Sequence, residues 1–224
     1  LRKSQGLDIP PEYESVAIKA MLVHCCSWGD VGKVLHDKFV PQIPRLRKKE
    51  VLKWIGYGYP NPEISSFCTD QRVTLVGYGE LPNGMQSEFN FPLPSCLISK
   101  AVSKRLTITL AWLSPIASCN QDYRLAKLSF RTKSSLIAKD ISDSDERAAK
   151  RGTVQHEVFV GKQASTYLSG TNLEIVVSCK KEDRLTYPVK YVLMATLEVS
   201  PEVSLPIYEE IKSSLAQQVE PLKV

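Results

Sequence analysis

The stretch RLTITLAWLSP, residues 105–115, decides the fold, because its residues alternate with the two-residue period of a β-strand. Pro115 ends the run, and β-branched and aromatic residues at this period suit a pleated surface. One face of the strand carries four large apolar side chains: Leu106, Ile108, Leu110 and Trp112. Four such groups along about 25 Å of strand need a second sheet to cover them. The stretch therefore predicts the central strand of a β-sandwich.

Six further runs are predicted as strands, because apolar and β-branched residues recur in them with a period of two. They span residues 72–77, 86–91, 125–131, 154–160, 173–179 and 188–199. No helices alternate with these runs, which disfavours a parallel α/β fold. Residues 80–84 predict a hairpin turn between the first two strands, and residues 134–151 form a long polar insertion. We therefore expect a mainly β fold, an antiparallel, jelly-roll-like β-sandwich.

Two helices are predicted before the sandwich. Pro10 and Pro11 predict a helix that begins just after them and runs to about Trp28. The segments that follow are predicted as a loop over residues 29–44, a short helix over residues 45–56 and a helical turn over residues 63–68. Only Lys19 interrupts the apolar surface of the first helix, so this helix needs protein on more than one side.

A final helix is predicted over residues 206–218, with Pro206 in its first turn. Its apolar face consists of Ile207, Ile211 and Leu215. The expected organisation is a helical segment over residues 1–70, a β-sandwich over residues 71–204, and a C-terminal helix and tail over residues 205–224.

Composition and charge limit the classes of function. A chain of 224 residues with 43% hydrophobic content can bury a sizeable core. The formal net charge is +5, and much of the local excess lies in one basic run: Arg45, Arg47, Lys48, Lys49 and Lys53. No aromatic residues interleave with this run, so we interpret it as a solvated helix face and expect no nucleic-acid partner.

The cysteines and the hydropathy pattern indicate a compartment. Six cysteines occur without a C-x-x-C pair or the framework spacing of a small secreted fold, which favours free thiols in a reducing environment. No apolar run approaches the roughly 20 residues that span a bilayer, and no signal sequence opens the chain. We expect a soluble, cytoplasmic protein with no membrane partner. Because the chain begins with Leu1, we also expect it to be a piece of a longer protein.

The histidines do not form a recognisable catalytic or metal site. His24, Cys25 and Cys26 are adjacent on a helix, where successive side chains point about 100° apart and cannot all reach one metal. His156 shares a strand face with three valines and is predicted to be a core histidine, whereas Glu157 points to the opposite face. An enzyme with an unfamiliar site around His156 is the alternative.

Glycine-rich and catalytic motifs are also missing from the sequence. No phosphate-binding loop, dinucleotide fingerprint, G-x-S-x-G elbow or H-E-x-x-H motif occurs, and Gly77 and Gly79 are interpreted as a turn. We therefore expect no catalytic residue, no cofactor and no metal in this chain.

Three stretches carry a resemblance to a known family. VAIKAMLVHCCSW (residues 16–28), followed by GYGYPN (residues 56–61), resembles the last helices of subtilisin-like serine proteases, just downstream of their nucleophile. LTITLAWLSPI (residues 106–116) resembles a strand of the β-sandwich that often follows the catalytic domain, with Ser114 where Asp is common. QDYRLAKL (residues 121–128) and GTVQHE (residues 152–157) are similar to large bacterial subtilases with this extension.

The resemblance implies a non-catalytic C-terminal part of a subtilase, because the D-T/S-G, H-G-T and G-T-S-x-A motifs of the triad are missing here. Gly152-Thr153 is followed by Val154, and the Ser169-Gly170-Thr171 sequence has the wrong order. The implied partners are the missing N-terminal catalytic domain and the peptide or protein substrate of the parent protease. The first helix would pack against that domain through five residues: Ile18, Met21, Leu22, Cys25 and Trp28.

A second hypothesis comes from another class of function. The chain would then be a free-standing β-sandwich module that binds protein or carbohydrate, with its N-terminal helices as an addition. Exposed aromatic residues clustered on one sheet face or one loop end would favour this hypothesis, because sugars and peptides bind flat apolar platforms.

Overall fold

The computed structural model of the chain describes residues 9–39, 44–61, 68–98, 100–117, 123–132, 152–161, 171–200 and 204–219. Within these ranges the α-helices are α1 (Glu14–His24), α2 (Gly29–Lys38), α3 (Pro44–Ile55) and α4 (Ile207–Val219). The strands are β1 (Cys26–Ser27), β2 (Tyr59–Pro60), β3 (Arg72–Leu81), β4 (Gln86–Pro92), β5 (Lys104–Trp112), β6 (Leu128–Thr132), β7 (Val154–Gly161), β8 (Asn172–Cys179) and β9 (Val189–Val199). Short 3-10 turns precede α1 (Pro11–Tyr13) and β5 (Ser95–Leu97).

Two antiparallel sheets form the body of the fold. The larger sheet has the strand order β3-β9-β5-β7, and the smaller one has the order β4-β8-β6. Both sheets contribute to one core, in which Leu110 of β5 and Val177 of β8 are fully buried. Strands β1 and β2 form a separate two-residue ribbon. The prediction of a mainly β, antiparallel fold with helices before and after the strands is confirmed.

Strand β5 is central in the larger sheet, as predicted, with Ile108 opposite Ala195 of β9 and Glu157 of β7. Its predicted apolar face lies in the core between the sheets. Its other face is buried as well, because Val16 and Ala20 of α1 pack over it. The larger sheet is therefore covered by strands on one face and by a helix on the other.

The prediction for the N-terminal helices is wrong in two places. Helix α1 ends at His24 and not near Trp28, because Cys26 and Ser27 pair with β2 instead. Helix α2 occupies most of the predicted loop, so three helices precede the sheets and not two. The predicted turn at Trp28-Gly29-Asp30 is the start of α2, and Gly32 is buried within this helix. A Cβ atom at Gly32 would lie 2.3 Å from Cβ of Trp28, so this glycine permits close packing inside a helix.

The prediction of a hairpin at residues 80–84 is also wrong. Strand β3 pairs along its whole length with β9, whereas β4 pairs with β8, so the turn carries the chain from one sheet to the other. Gly77 and Gly79 lie inside β3 and not in a turn. A Cβ atom at Gly77 would lie 2.4 Å from the ring of Phe89, so this glycine makes room for an aromatic side chain of the facing sheet.

Helix α4 confirms the predicted final helix. Ile207 and Ile211 are buried in the core, and Leu215 packs against it. The Glu210 carboxylate accepts hydrogen bonds from Ser95 Oγ (2.9 Å) and from the backbone N–H of Cys96 (3.1 Å). These contacts hold α4 against the turn before β5.

Some sequence predictions fall outside the described residues. They include the insertion at residues 134–151 and, apart from Cys68, the helical turn at residues 63–68. The division of the chain at residues 70 and 204 stays a prediction.

Candidate functional site

A chain of hydrogen bonds between polar side chains lies under the C-terminal end of α1. His24 Nδ1 is 2.8 Å from Thr109 Oγ1, and the same hydroxyl oxygen is 2.8 Å from His156 Nδ1. On its other side, His24 Nε2 is 2.6 Å from Thr196 Oγ1, which lies 2.7 Å from Thr74 Oγ1. We call these five residues the histidine–threonine network.

The strands place these side chains on one face of the larger sheet. His156 of β7 is directly opposite Thr109 of β5. Thr196 of β9 is opposite Thr107, which precedes Thr109 by two residues and so shares its face of the sheet. His24 is the last residue of α1 and lies on the helix face that packs on the sheet. Helix and strand periods therefore bring two distant histidines to one hydroxyl group.

The shared hydroxyl restricts the protonation of the two imidazoles. Thr109 carries one hydrogen, so it donates to one ring and accepts an N–H from the other. With both rings neutral, each hydrogen bond of the network has one donor and one acceptor. This holds whether the donors point from Thr74 toward His156 or from His156 toward Thr74. If both His24 and His156 were protonated, both Nδ1 atoms would donate to Thr109, and its hydroxyl hydrogen would have neither ring as an acceptor.

Burial favours the neutral form of both rings. It lowers the pKa of His24 to about 3, with smaller contributions from the charges of His156 and Arg105. Burial, followed by the charge of Arg105, lowers the pKa of His156 to about 4. Both histidines are therefore neutral near pH 7.

A small cavity adjoins the far side of His156. Its volume is about 20 Å³, which is room for about one water molecule. Tyr57 lines this cavity, and its ring stands edge-to-face to the His156 ring, with the two ring centroids 5.6 Å apart. Burial raises the pKa of the Tyr57 hydroxyl and that of the Cys26 thiol, so neither group provides an anion for chemistry at neutral pH.

The geometry does not support catalysis in this network. Thr109 is completely buried, so its hydroxyl cannot reach a substrate carbonyl. The described part of the chain holds no group of three or more His, Cys, Asp or Glu residues that could bind a metal ion. His36 lies apart on α2, where its Nδ1 is 3.9 Å from the Asp37 carboxylate. The network can tether a helix to a sheet, and this is the role its contacts support.

The prediction that His156 is a core histidine is confirmed. Glu157 lies on the opposite face, as predicted, where its carboxylate accepts a 2.6 Å hydrogen bond from Gln155 Nε2. Sequence reasoning missed the contact between His24 and His156. The available signal was the pair of threonines at 107 and 109, which places two hydroxyl groups side by side on a buried face of β5.

Lys19 provides a second tether for α1. Its Nζ donates a 3.1 Å hydrogen bond to the Trp112 carbonyl and a further hydrogen bond to the Thr153 hydroxyl. Partial burial lowers the pKa of Lys19. The one charged residue in the apolar part of α1 thus binds the end of β5.

The five predicted packing residues do not share one environment. Cys25 is buried, and Met21 and Trp28 are half-buried, with Trp28 Nε1 donating a 3.0 Å hydrogen bond to the Gly56 carbonyl. Ile18 and Leu22 are 49% and 58% exposed. The sheet therefore covers one face of α1 and leaves its opposite face bare.

Other large apolar side chains of the first three helices and β2 are exposed as well. Together with the bare residues of α1 they form what we call the helical apolar surface: Ile18, Leu22, Val31, Val34, Trp54 and Tyr59. The elements that carry it are connected, because β1 pairs with β2 and α2 contacts α3. Single exposed apolar residues are ordinary on a folded protein, and these six lie on elements that adjoin in the chain or in space.

A sugar or peptide platform requires clustered aromatic residues, whereas the exposed ones in the described ranges are spread over the fold, with Trp54 and Tyr59 on adjoining elements. Those residues lie on separate elements: Trp54 on α3, Tyr59 on β2, Tyr78 on β3, Tyr123 after β5 and Tyr187 before β9. The binding-module hypothesis stays a prediction.

Within the described residues, no helix is both long enough and apolar enough to cross a membrane.

Comparisons with known proteins give weak similarities. No protein-family model matches the chain. It is 29% identical over 86 residues to the uncharacterized protein y4bN of Sinorhizobium fredii, a match that covers 38% of this chain and 20% of that protein. The chain thus spans about a fifth of the length of this curated relative.

Two solved phage structures are similar at low scores. The capsid asymmetric unit of cyanophage Pam1 has a TM-score of 0.31 at 12% identity, covering 58% of this chain and 85% of that one. The acid-stable capsid of Helicobacter pylori bacteriophage KHP30 has a TM-score of 0.21 at 14% identity, covering 58% and 94%. At these values neither structure carries an argument about this protein.

Proposed function

We propose that this chain is the non-catalytic C-terminal part of a subtilisin-like serine endopeptidase. In this proposal its N-terminal helices buttress the catalytic domain, and the sandwich helps to position the substrate. The observation that carries the proposal is the helical apolar surface, of which Ile18 and Leu22 on α1 belong to the stretch that resembles the end of a subtilase catalytic domain. An uncovered face of this kind is typical of an interface with another domain.

The polar chemistry of the chain is consistent with a supporting role. Its two buried histidines bind threonine hydroxyls and so are not arranged as general bases beside an accessible nucleophile. We also propose a reducing, cytoplasmic location. No disulfide joins any of the five cysteines that the structure describes, which supports that location.

The first test is the coding sequence that precedes this chain in its gene. We expect a G-T-S-x-A motif within roughly one helix length before residue 1, and the H-G-T and D-T/S-G motifs further upstream. A preceding region without these motifs would refute the subtilase assignment.

The second test uses the full-length protein with the double substitution Ile18→Glu and Leu22→Glu. Charges on the docking face should lower the thermal midpoint of the catalytic domain and shorten the half-life of its peptidase activity. Ile116→Glu is the matched control, since Ile116 is 74% exposed outside the helical apolar surface. Equal behaviour of the double variant and the control would contradict the proposed interface. Hydrolysis of casein by the chain alone, sensitive to a serine-directed inhibitor, would contradict a non-catalytic role.

A further inference from the structure

We propose that α1 is held on the larger sheet by an acid-sensitive latch, in which His24, Thr109 and His156 form one hydrogen-bonded unit that opens when the histidines take up protons. The inference is independent of the proposed function, because it depends only on contacts within the chain.

The geometry makes the latch intolerant of added protons. Both rings use Nδ1 on the same hydroxyl oxygen, at 2.8 Å each, and their centroids are 6.5 Å apart. Two imidazolium ions would both donate to this oxygen, would leave the Thr109 hydroxyl hydrogen without a ring acceptor, and would repel each other in a buried site. Opening the end of α1 would hydrate His24 and remove the cover from His156.

The surrounding charges do not favour the imidazolium forms. On the same face of the sheet, Arg105 of β5 lies near enough to disfavour a positive charge on either ring. Glu198, two residues beyond Thr196 on β9, has its carboxylate 3.9 Å from Arg72 Nη1 of β3. Other titratable groups on this face are Lys19 of α1, Tyr13 before it, Lys190 of β9, and Glu80 and Tyr78 of β3. Tyr57 and Cys26 lie beside the cavity, and Cys25 follows His24 in the chain. Lys190 Nζ and Glu80 lie 3.7 Å apart.

Lys19 determines where the opening begins. Its ammonium group stays protonated in weak acid, so its hydrogen bond to the Trp112 carbonyl persists. The latch therefore opens from the C-terminal end of α1, over residues 20–25, while the strands stay paired. The cavity beside His156 provides space for a water molecule that delivers the proton.

Amide hydrogen exchange tests the latch directly. An opened state whose histidine has an ordinary pKa of about 6.5 is favoured by about 30-fold at pH 5 relative to pH 7.5. After correction for intrinsic exchange, we expect protection of the amides of residues 20–25 to fall by at least about 30-fold, which is the contribution of one histidine. Amides of β5 and β9 should remain more strongly protected than those of residues 20–25 at both pH values, because their exchange requires global unfolding and not only the opening of α1.

Two histidine variants and one control separate the latch from other acid effects. His24→Gln should remove most of the pH dependence at residues 20–25, and His156→Gln should leave the contribution of His24. His36→Gln on α2 is the control and should behave as the unmodified protein. Unchanged protection of residues 20–25 between pH 7.5 and 5 would overturn the proposal, and this result requires no variant. Equal protection of residues 20–25 and the strands at pH 5, which would mean that they open in one global event, would overturn it as well.

Discussion

A single side chain, Gln155 of β7, closes one open side of the sandwich. Its Oε1 accepts a hydrogen bond from the backbone N–H of Phe130 (2.8 Å), and its Nε2 donates to the Phe130 carbonyl (3.3 Å) and to Glu157 Oε1 (2.6 Å). Phe130 belongs to β6, the outer strand of the smaller sheet. At Phe130, the Gln155 side-chain amide therefore makes the backbone hydrogen bonds that a further strand would make at the outer edge of β6.

Replacing Gln155 by Met keeps the length of the side chain and removes these bonds. The N–H and carbonyl of Phe130, a buried residue, then lose their side-chain partner. An unsatisfied buried polar group costs about 1–3 kcal/mol, so the two together should destabilise the protein by about 2–6 kcal/mol. For a chain of this length, that loss lowers Tm by roughly 4–24 °C.

The assay is urea unfolding followed by tryptophan fluorescence, since the fully buried Trp112 reports on the core between the sheets. Gln86→Met is the matched control, because Gln86 is an exposed strand glutamine in β4 and its replacement should change stability by less than about 0.5 kcal/mol. Gln155→Glu should be at least as harmful as Gln155→Met at neutral pH, because a carboxylate cannot donate to Phe130 and repels Glu157. A loss in Gln155→Met no larger than in the control would refute the reasoning.

Three further outcomes are expected. Because burial lowers the folded-state pKa of His24 to about 3 and of His156 to about 4, the unfolded chain binds more protons as the pH falls below about 6.5. The free energy of unfolding should therefore be highest near pH 7.5 and lower by up to about 4 kcal/mol at pH 5. Urea midpoints that stay constant across this interval would contradict this prediction. Asn83→Ala should lower the free energy of unfolding by about 2–3 kcal/mol in thermal unfolding, because the Asn83 amide makes three hydrogen bonds to the backbone of the loop before β9. A loss of less than about 0.5 kcal/mol, as for an ordinary surface substitution, would argue against that role. Gly77→Ala should lower the free energy of unfolding in urea by about 1–3 kcal/mol, because the added Cβ meets the ring of Phe89. Combining it with Phe89→Leu, which removes that ring, should restore part of the loss.

The sequence by itself determined the local elements with a strong period. The alternation in residues 105–115 identified β5 and its core face, and the spacing of Ile207 and Ile211 identified the buried face of α4. The strand position of His156 was enough to predict its burial. Each of these inferences needs only the order of residues within one element, because the backbone geometry of that element decides which side chains share a face.

Only the tertiary structure decided which elements meet. Local periodicity does not specify the partner of a strand, so the turn after β3 resembled a hairpin although β9, more than 100 residues later, is the neighbour of β3. In the same way, a two-residue period marked the threonine face of β5 without showing that α1 covers it. His24 and His156 come together through Thr109 only after a helix has packed on a sheet, and the low pKa values of both rings are a property of that burial and not of either local sequence.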